Sequence, residues 1–160
     1  SYNLKNKMNS LDLSGDDDIN IDIEQTVVMI SISDKLLFNT ASFRVKSGAY
    51  SFLERMANLL KAEPSMDVMI EVHTDSQSIS NDDVQDNWEL SSKRATAIVR
   101  ILEGKHKIEG SRLIAAGRGS TVPLVPNTTS ANRAKNRRTK IVILPNLDKF
   151  FALMGEEITN

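Results

Sequence analysis

Apolar positions along the chain change their spacing several times, and each change predicts an element. Leu4, Met8 and Leu11 stand at i, i+4 and i+7, the end of a helix that Gly15 and three following aspartates interrupt. INIDI then alternates, EQ supplies a turn and TVVMISIS is β-branched, so Ile19 to Ser33 is expected to form a β-hairpin. From Phe43 to Ala62 the period becomes helical. Val45, Ala49, Phe52, Leu53, Met56, Leu59 and Leu60 share one broad face, and Pro64 marks the stop. MDVMIEVHT reads as a strand with Val68, Ile70, Val72 and Thr74 on one side. A polar loop follows, and Asp86 and Glu89 have the N-cap and N3 spacing of a capping box, which starts a helix near Asn87 and carries it to about Gly104. RLIAAGRG is a further short strand. PLVPNTTSANRAKN is a loop with one helical turn, and RRTKIVILP is a last strand ended by Pro145. Leu147, Phe150, Phe151 and Met154 predict a short amphipathic C-terminal helix. The order ββαβαβ(α)βα places helices on one face of a mixed sheet, an α+β arrangement.

The helix from Asn87 contains one discordant residue. Leu90, Arg94, Ala97, Ile98 and Ile101 form its apolar stripe, and Arg94 lies within it. A guanidinium on a core-facing stripe requires a partner, either another residue or a ligand, because an unpaired buried charge costs several kcal/mol, roughly. Asp75, at the end of the MDVMIEVHT strand, can face Arg94 across one crevice. Two opposite charges held apart suit a zwitterion, whose ammonium meets the carboxylate and whose carboxylate meets the guanidinium. The plainer reading is a direct Asp75–Arg94 salt bridge between strand and helix. If Arg94 only serves a ligand, Arg94→Leu should leave stability unchanged or raised.

Composition narrows the function classes. The chain's 160 residues suffice for one domain with its own core, and 20 basic against 21 acidic side chains produce no global field toward nucleic acid or a membrane surface. Absence of cysteine removes disulfides, thiolate catalysis and zinc–cysteine sites. No apolar run approaches the ~18 residues of a membrane span, and SYNLKNKMNS has no signal-peptide hydrophobic region, so an exported chain would be a mature part or a fragment. His73 and Asp75 form only a weak metal pair, so no metal or cofactor is expected. No GxSxG elbow positions a nucleophile. The GRG at Gly117 reads as a bend, and Asn127-Thr128-Thr129 is a sequon of the kind that arises by chance. NRAKNRR is basic, but aromatics at 5% argue against a nucleic-acid platform; one of its arginines could reach the crevice.

Four ordered pieces, HTD at the strand end, NWELSSKRA opening the helix, SRLIAAGRG and NTTSANRAKNRRTKI, resemble the OmpA-like (OmpA/MotB) peptidoglycan-binding domain over roughly Val27 to Leu144. The NWELSSKRA form with its long preceding loop is most similar to the MotB-type branch. The resemblance implies a βαβαββ-type sandwich that grips the diaminopimelate of a peptidoglycan stem peptide without covalent bonding or catalysis. It carries the family's aspartate of HTD onto Asp75, its helix arginine onto Arg94, its asparagine onto Asn87 and the first arginine of NRR onto Arg137. Phe38, Asn39 and Thr40 fall at the pocket rim, with Thr74 and Leu90 beside the charged pair.

The family pattern is not matched everywhere. Val72 stands where a glycine is usual before HTD, Arg118 replaces the usual aromatic between two glycines, and the loop from Ser76 to Asp86 has three aspartates and no glycine. The expected division is an extension over 1–18, the binding domain over 19–146 and a C-terminal helix and tail over 147–160. The implied place is the periplasm or cell envelope, associated with the outer membrane, with peptidoglycan as partner. A homodimer or an upstream membrane-anchored segment is left open. The alternative is an envelope protein–protein interaction module with a degenerate pocket.

Overall fold

The computed structural model describes residues 18–24 and 27–145, and within them the chain forms an α+β fold around one open five-stranded sheet. The strands are β1 (Ile19–Glu24), β2 (Val27–Ser33), β3 (Met66–His73), β4 (Leu113–Gly119) and β5 (Arg138–Pro145). The helices are α1 (Asp34–Leu37), α2 (Tyr50–Ala62), α3 (Asn87–Gly104) and α4 (Ser130–Asn136). Strand order is β1-β2-β5-β3-β4, with β3 and β4 parallel and every other neighbour antiparallel. The expected hairpin is therefore β1 and β2, paired from Ile19 opposite Ile32 to Glu24 opposite Val27. The Leu4, Met8, Leu11 spacing and the C-terminal amphipathic helix lie outside the described residues.

Alternation places Val28, Ile30 and Ile32 of β2, Val68, Ile70 and Val72 of β3, and Ile141 and Ile143 of β5 on one buried face. Against it pack α2, through Phe52, Leu53, Met56, Ala57, Leu59 and Leu60, and α3, through Ala95, Ile98 and Leu102. Helix α3 starts where the capping box predicts, with the Asp86 carboxylate accepting from Glu89 N–H at 2.9 Å. Its buried face is rotated slightly from the expected stripe. Leu90, Arg94 and Ile98 are buried, but Ser91, Ala95 and Leu102 join them, while Ala97 and Ile101 are half-buried. The rotation lets α3 approach β4 so closely that a Cβ on Gly117 would stand 2.3 Å from Ser92 Oγ. Gly119, at φ +57°, makes the bend expected of GRG.

The helix expected from Phe43 begins later. Val45 reaches the core as an extended residue bridged to Phe38, Ser47–Ala49 form a 3₁₀ turn, and α2 follows. Residues 38–46 instead make a folded rim, with Lys46 N–H bonded to Leu37 O at 2.8 Å and Ala41 at φ 59°. Among the described residues no helix is long and apolar enough to cross a membrane.

Candidate functional site

Sheet register brings three chain segments to one edge of the fold. Ser33 at the end of β2 and His73 at the end of β3 both pair with Arg138 at the start of β5. The residues just beyond these positions, Asp34, Thr74, Asp75 and Arg137, therefore emerge side by side. Asp34 N–H donates to Arg137 O at 3.1 Å, and Thr74 N–H donates to Gly119 O at 2.9 Å. Helix α3 lies across this edge and adds Asn87, Leu90 and Arg94. The result is a crevice of about 630 Å³.

The structure brings eight of the nine expected residues to the crevice wall: Phe38, Thr40, Thr74, Asp75, Asn87, Leu90, Arg94 and Arg137. Asn39 is next to it, contributing its backbone carbonyl to Arg94. Asn87 acts through backbone. Its side-chain amide donates to Gln77 O at 2.9 Å and to Asp75 O at 3.3 Å, fixing the loop that carries Asp75. Thr74 Oγ1 donates to Asp75 O at 2.9 Å, and Asp75 Oδ1 accepts from Gln77 N–H at 3.0 Å.

Arg94 and Asp75 do not form the direct salt bridge that the plainer reading required. Each has another partner. Arg94 Nη1 donates to Asp34 Oδ1, Nε to Ser42 O at 2.7 Å and Nη2 to Asn39 O at 3.1 Å, with the guanidinium 4.7 Å from the centre of the Phe38 ring. Its side chain is 2% exposed. Burial pushes the Asp34 carboxyl up and the Arg94 guanidinium down, while the charge of each pulls the other back toward its ionised form. Asp75 Oδ2 instead accepts from Arg137 Nη1 at 2.5 Å, and the Arg137 side chain is 37% exposed. One pair is sealed into the fold, and the other faces open space.

No local pattern in the sequence singles out Asp34. It follows a strand directly and lies on no periodic face, so only the pairing of β2 with β5 reveals it as the partner that buried Arg94 requires. Two arginines of the basic run line the crevice, Arg133 and Arg137, where one was expected. Arg138 alternates to the other side and donates to Asn136 O and Val122 O at 3.1 and 3.2 Å. His73 does not join Asp75: its Nε2 donates to Glu71 Oε1 at 2.6 Å. Among the described residues no group of three or more His, Cys, Asp or Glu could hold a metal. Asn127 of the sequon spends its side-chain oxygen internally, accepting from Ser76 N–H and Asn136 Nδ2.

Comparison with known proteins gives this geometry its context. The chain is 31% identical to motility protein B of Bacillus subtilis over 118 residues, 74% of this chain and 45% of that protein. It is 34% identical to the peptidoglycan-binding protein ArfA of Mycobacterium tuberculosis over 94 residues, 59% of this chain and 27% of that one. The chain thus spans less than half the length of these relatives. Among solved structures, a MotB-like protein from Desulfovibrio vulgaris superposes with a TM-score of 0.81 at 28% identity, covering 90% of both chains. The OmpA family model matches residues 37–137, from the rim beside α1 to the arginine that meets Asp75, and the chain belongs to the OmpA family.

Proposed function

We propose that this domain binds peptidoglycan noncovalently and holds a cell-envelope protein against the wall, without catalysis. The observation that carries the reading is the charged crevice itself: Asp75 at a strand end, opposed by Arg137 and backed by Arg94, in a fold whose relatives include a protein named for peptidoglycan binding. A diaminopimelate side chain ends in an ammonium and a carboxylate on one carbon. Asp75 takes the ammonium. Arg137, released from Asp75 as the ammonium arrives, closes on the carboxylate in a fork that a planar guanidinium matches. Arg94 stands behind them as a fixed positive charge, held at the crevice wall by Asp34 and the rim carbonyls; among the described residues two of its five N–H groups have no partner. Asn87, Thr74 and Leu90 shape the wall, and Phe38, Asn39 and Thr40 form the rim.

Binding is thereby an exchange of one ion pair for two, and it needs both charges of the ligand. Lysine in the same stem position offers the ammonium alone and leaves the guanidinium facing an empty, half-buried place. The test is calorimetry with matched stem peptides of the diaminopimelate and lysine types. Tighter binding of the diaminopimelate peptide supports the clamp, and equal affinities overturn it. Retention by purified sacculi tests the parent reading. Failure to sediment with them would favour a protein partner.

A further inference from the structure

The clamp leaves one crevice charge without an opposite. Four cations line the wall, Lys35, Arg94, Arg133 and Arg137, against two carboxylates, Asp34 and Asp75. Asp34 balances Arg94 and Asp75 balances Arg137. Lys35 Nζ lies 3.2 Å from Asp18 Oδ2. Arg133 meets no carboxylate among the described residues; its Nη1 reaches only Asn127 O, at 3.5 Å, the outer limit of a hydrogen bond. It is half-buried.

Its position makes the surplus specific. Arg137 N–H donates to Arg133 O at 3.1 Å, so Arg137, the residue that caps α4, stands one helical turn beyond Arg133, and both line the same crevice. Like charges at this spacing repel, and Arg137 alone has a local counter-charge. A zwitterion adds equal charges of both signs and does nothing for the remainder. A ligand with one additional carboxylate would remove both the repulsion and the unpaired donor fork.

We propose that Arg133 binds a second carboxylate of the stem peptide, separate from the clamped zwitterion, so that the preferred ligand is an anionic stem rather than an amidated one. The inference rests on the stem-peptide reading above. Two carboxylates have the required chemistry: the α-carboxylate of the glutamate that precedes diaminopimelate, and the chain-terminal carboxylate present when the stem ends at diaminopimelate.

The experiment is calorimetry of the whole chain with four soluble diaminopimelate-type peptides, in which the glutamate α-carboxylate is free or amidated and the stem ends at diaminopimelate or continues with alanine. Wild type, Arg133→Gln and Arg133→Lys are compared, with melting curves confirming that each is folded. Loss of the contacting carboxylate is expected to weaken wild type by about tenfold, the scale of one charge-assisted contact. The change that produces the loss identifies the source. Arg133→Gln should bind all four peptides as weakly as wild type binds the carboxylate-deficient one, and Arg133→Lys should restore part of the discrimination. If wild type binds all four equally yet still prefers diaminopimelate to lysine, the second-carboxylate contact is overturned and the clamp survives. If no diaminopimelate peptide binds, both fall together.

Discussion

Three arginines are buried among the described residues, and the surroundings of two of them, Arg112 and Arg94, differ in an instructive way. Arg112, between α3 and β4, gives Nε to Met66 O at 2.8 Å and Nη2 to Leu60 O and Glu63 O at 2.8 and 2.9 Å. Leu60 is in the last turn of α2, so the cation sits at the negative end of a helix and ties it to the start of β3. These three acceptors are all backbone carbonyls. Arg94, near the opposite end of β3, is equally covered but is matched by the carboxylate of Asp34 as well as by rim carbonyls, and it borders open space that holds a second, half-exposed ion pair. Burial of a cation is thus no sign of a binding site. What marks the proposed site is charge left adjustable beside a cavity, and that property belongs to Asp75, Arg137 and Arg133 more than to Arg94.

The largest expected effect comes from removing the cation of the sealed pair. Arg94→Leu leaves Asp34 buried without a counter-charge and deprives Ser42 O and Asn39 O of their donor. Breaking a buried pair from one side costs about 3–5 kcal/mol, which lowers the melting temperature of a domain this size by about 10 °C or more. This is the opposite of the sequence expectation, because the buried Asp34 carboxylate depends on Arg94 for its counter-charge. A double variant, Asp34→Leu with Arg94→Leu, should recover most of the loss, because well-packed apolar residues often replace a buried pair at little cost. Thermal melts of both single variants and the double separate the outcomes. An Arg94→Leu protein as stable as wild type would show that Asp34 is not relying on it.

On the open pair, the same kind of change should affect binding and leave the fold alone. Asp75→Asn retains an oxygen for Gln77 N–H and releases Arg137 to solvent, so the melting curve should hardly move. Retention by sacculi should be lost, since truncating one side of a ligand charge pair costs about 2–5 kcal/mol of affinity. Full retention by the folded variant would take Asp75 out of the site. Arg112→Leu supplies the converse. It should lower stability by about 1–3 kcal/mol, as carbonyls at the end of α2 lose a donor while retaining backbone partners. Sacculus binding by the molecules that remain folded should be unaltered, and a loss comparable with Asp75→Asn would erase the distinction between the two arginines.

These contrasts also indicate how far the sequence could lead. Helix α3 and its N-cap were readable because a capping box and an apolar period are local, and β3 was readable from alternation with Asp75 at its end. Arg94 announced itself by breaking a pattern. Its partner could not, because Asp34 approaches it only through the insertion of β5 between β2 and β3, a pairing that no local spacing encodes. The stretch from Phe43 to Lys46 keeps a helical period yet belongs to the rim rather than to a helix, for a related reason. Val45 satisfies the helical period, yet the carbonyls of Asn39 and Ser42 just before it are drawn to Arg94, and the valine reaches the core as an extended residue. The basic run was legible as a charge cluster, but alternation at the start of β5, which sends Arg137 to the crevice and Arg138 away from it, was not.

The smallest effect is expected at His73, a buried ionisable group two residues from Asp75 that takes no part in the crevice. Its imidazole is 1% exposed, and Nε2 donates to Glu71. Burial lowers its pKa from 6.5, and the nearby charges of Arg138 and Lys140 act in the same direction, while Glu71, itself 3.6 Å from Arg118 Nε, opposes them. The unfolded chain therefore takes up a proton at a pH where folded His73 is still neutral. Unfolding binds protons in this window, so stability is fully present above about pH 6.5 and declines as pH falls below it toward the folded pKa. His73→Gln removes that dependence. Denaturant midpoints at pH 7.5, 6.5 and 5.5, chosen around the ordinary histidine value, should show a wild-type decline toward acid that the variant lacks. Sacculus binding should be the same for both proteins at neutral pH. If wild type instead gains stability relative to His73→Gln on acidification, the Glu71 carboxylate outweighs burial and the imidazole belongs to an ion pair. If the variant loses sacculus binding, the crevice's chemistry extends through the sheet to its other face.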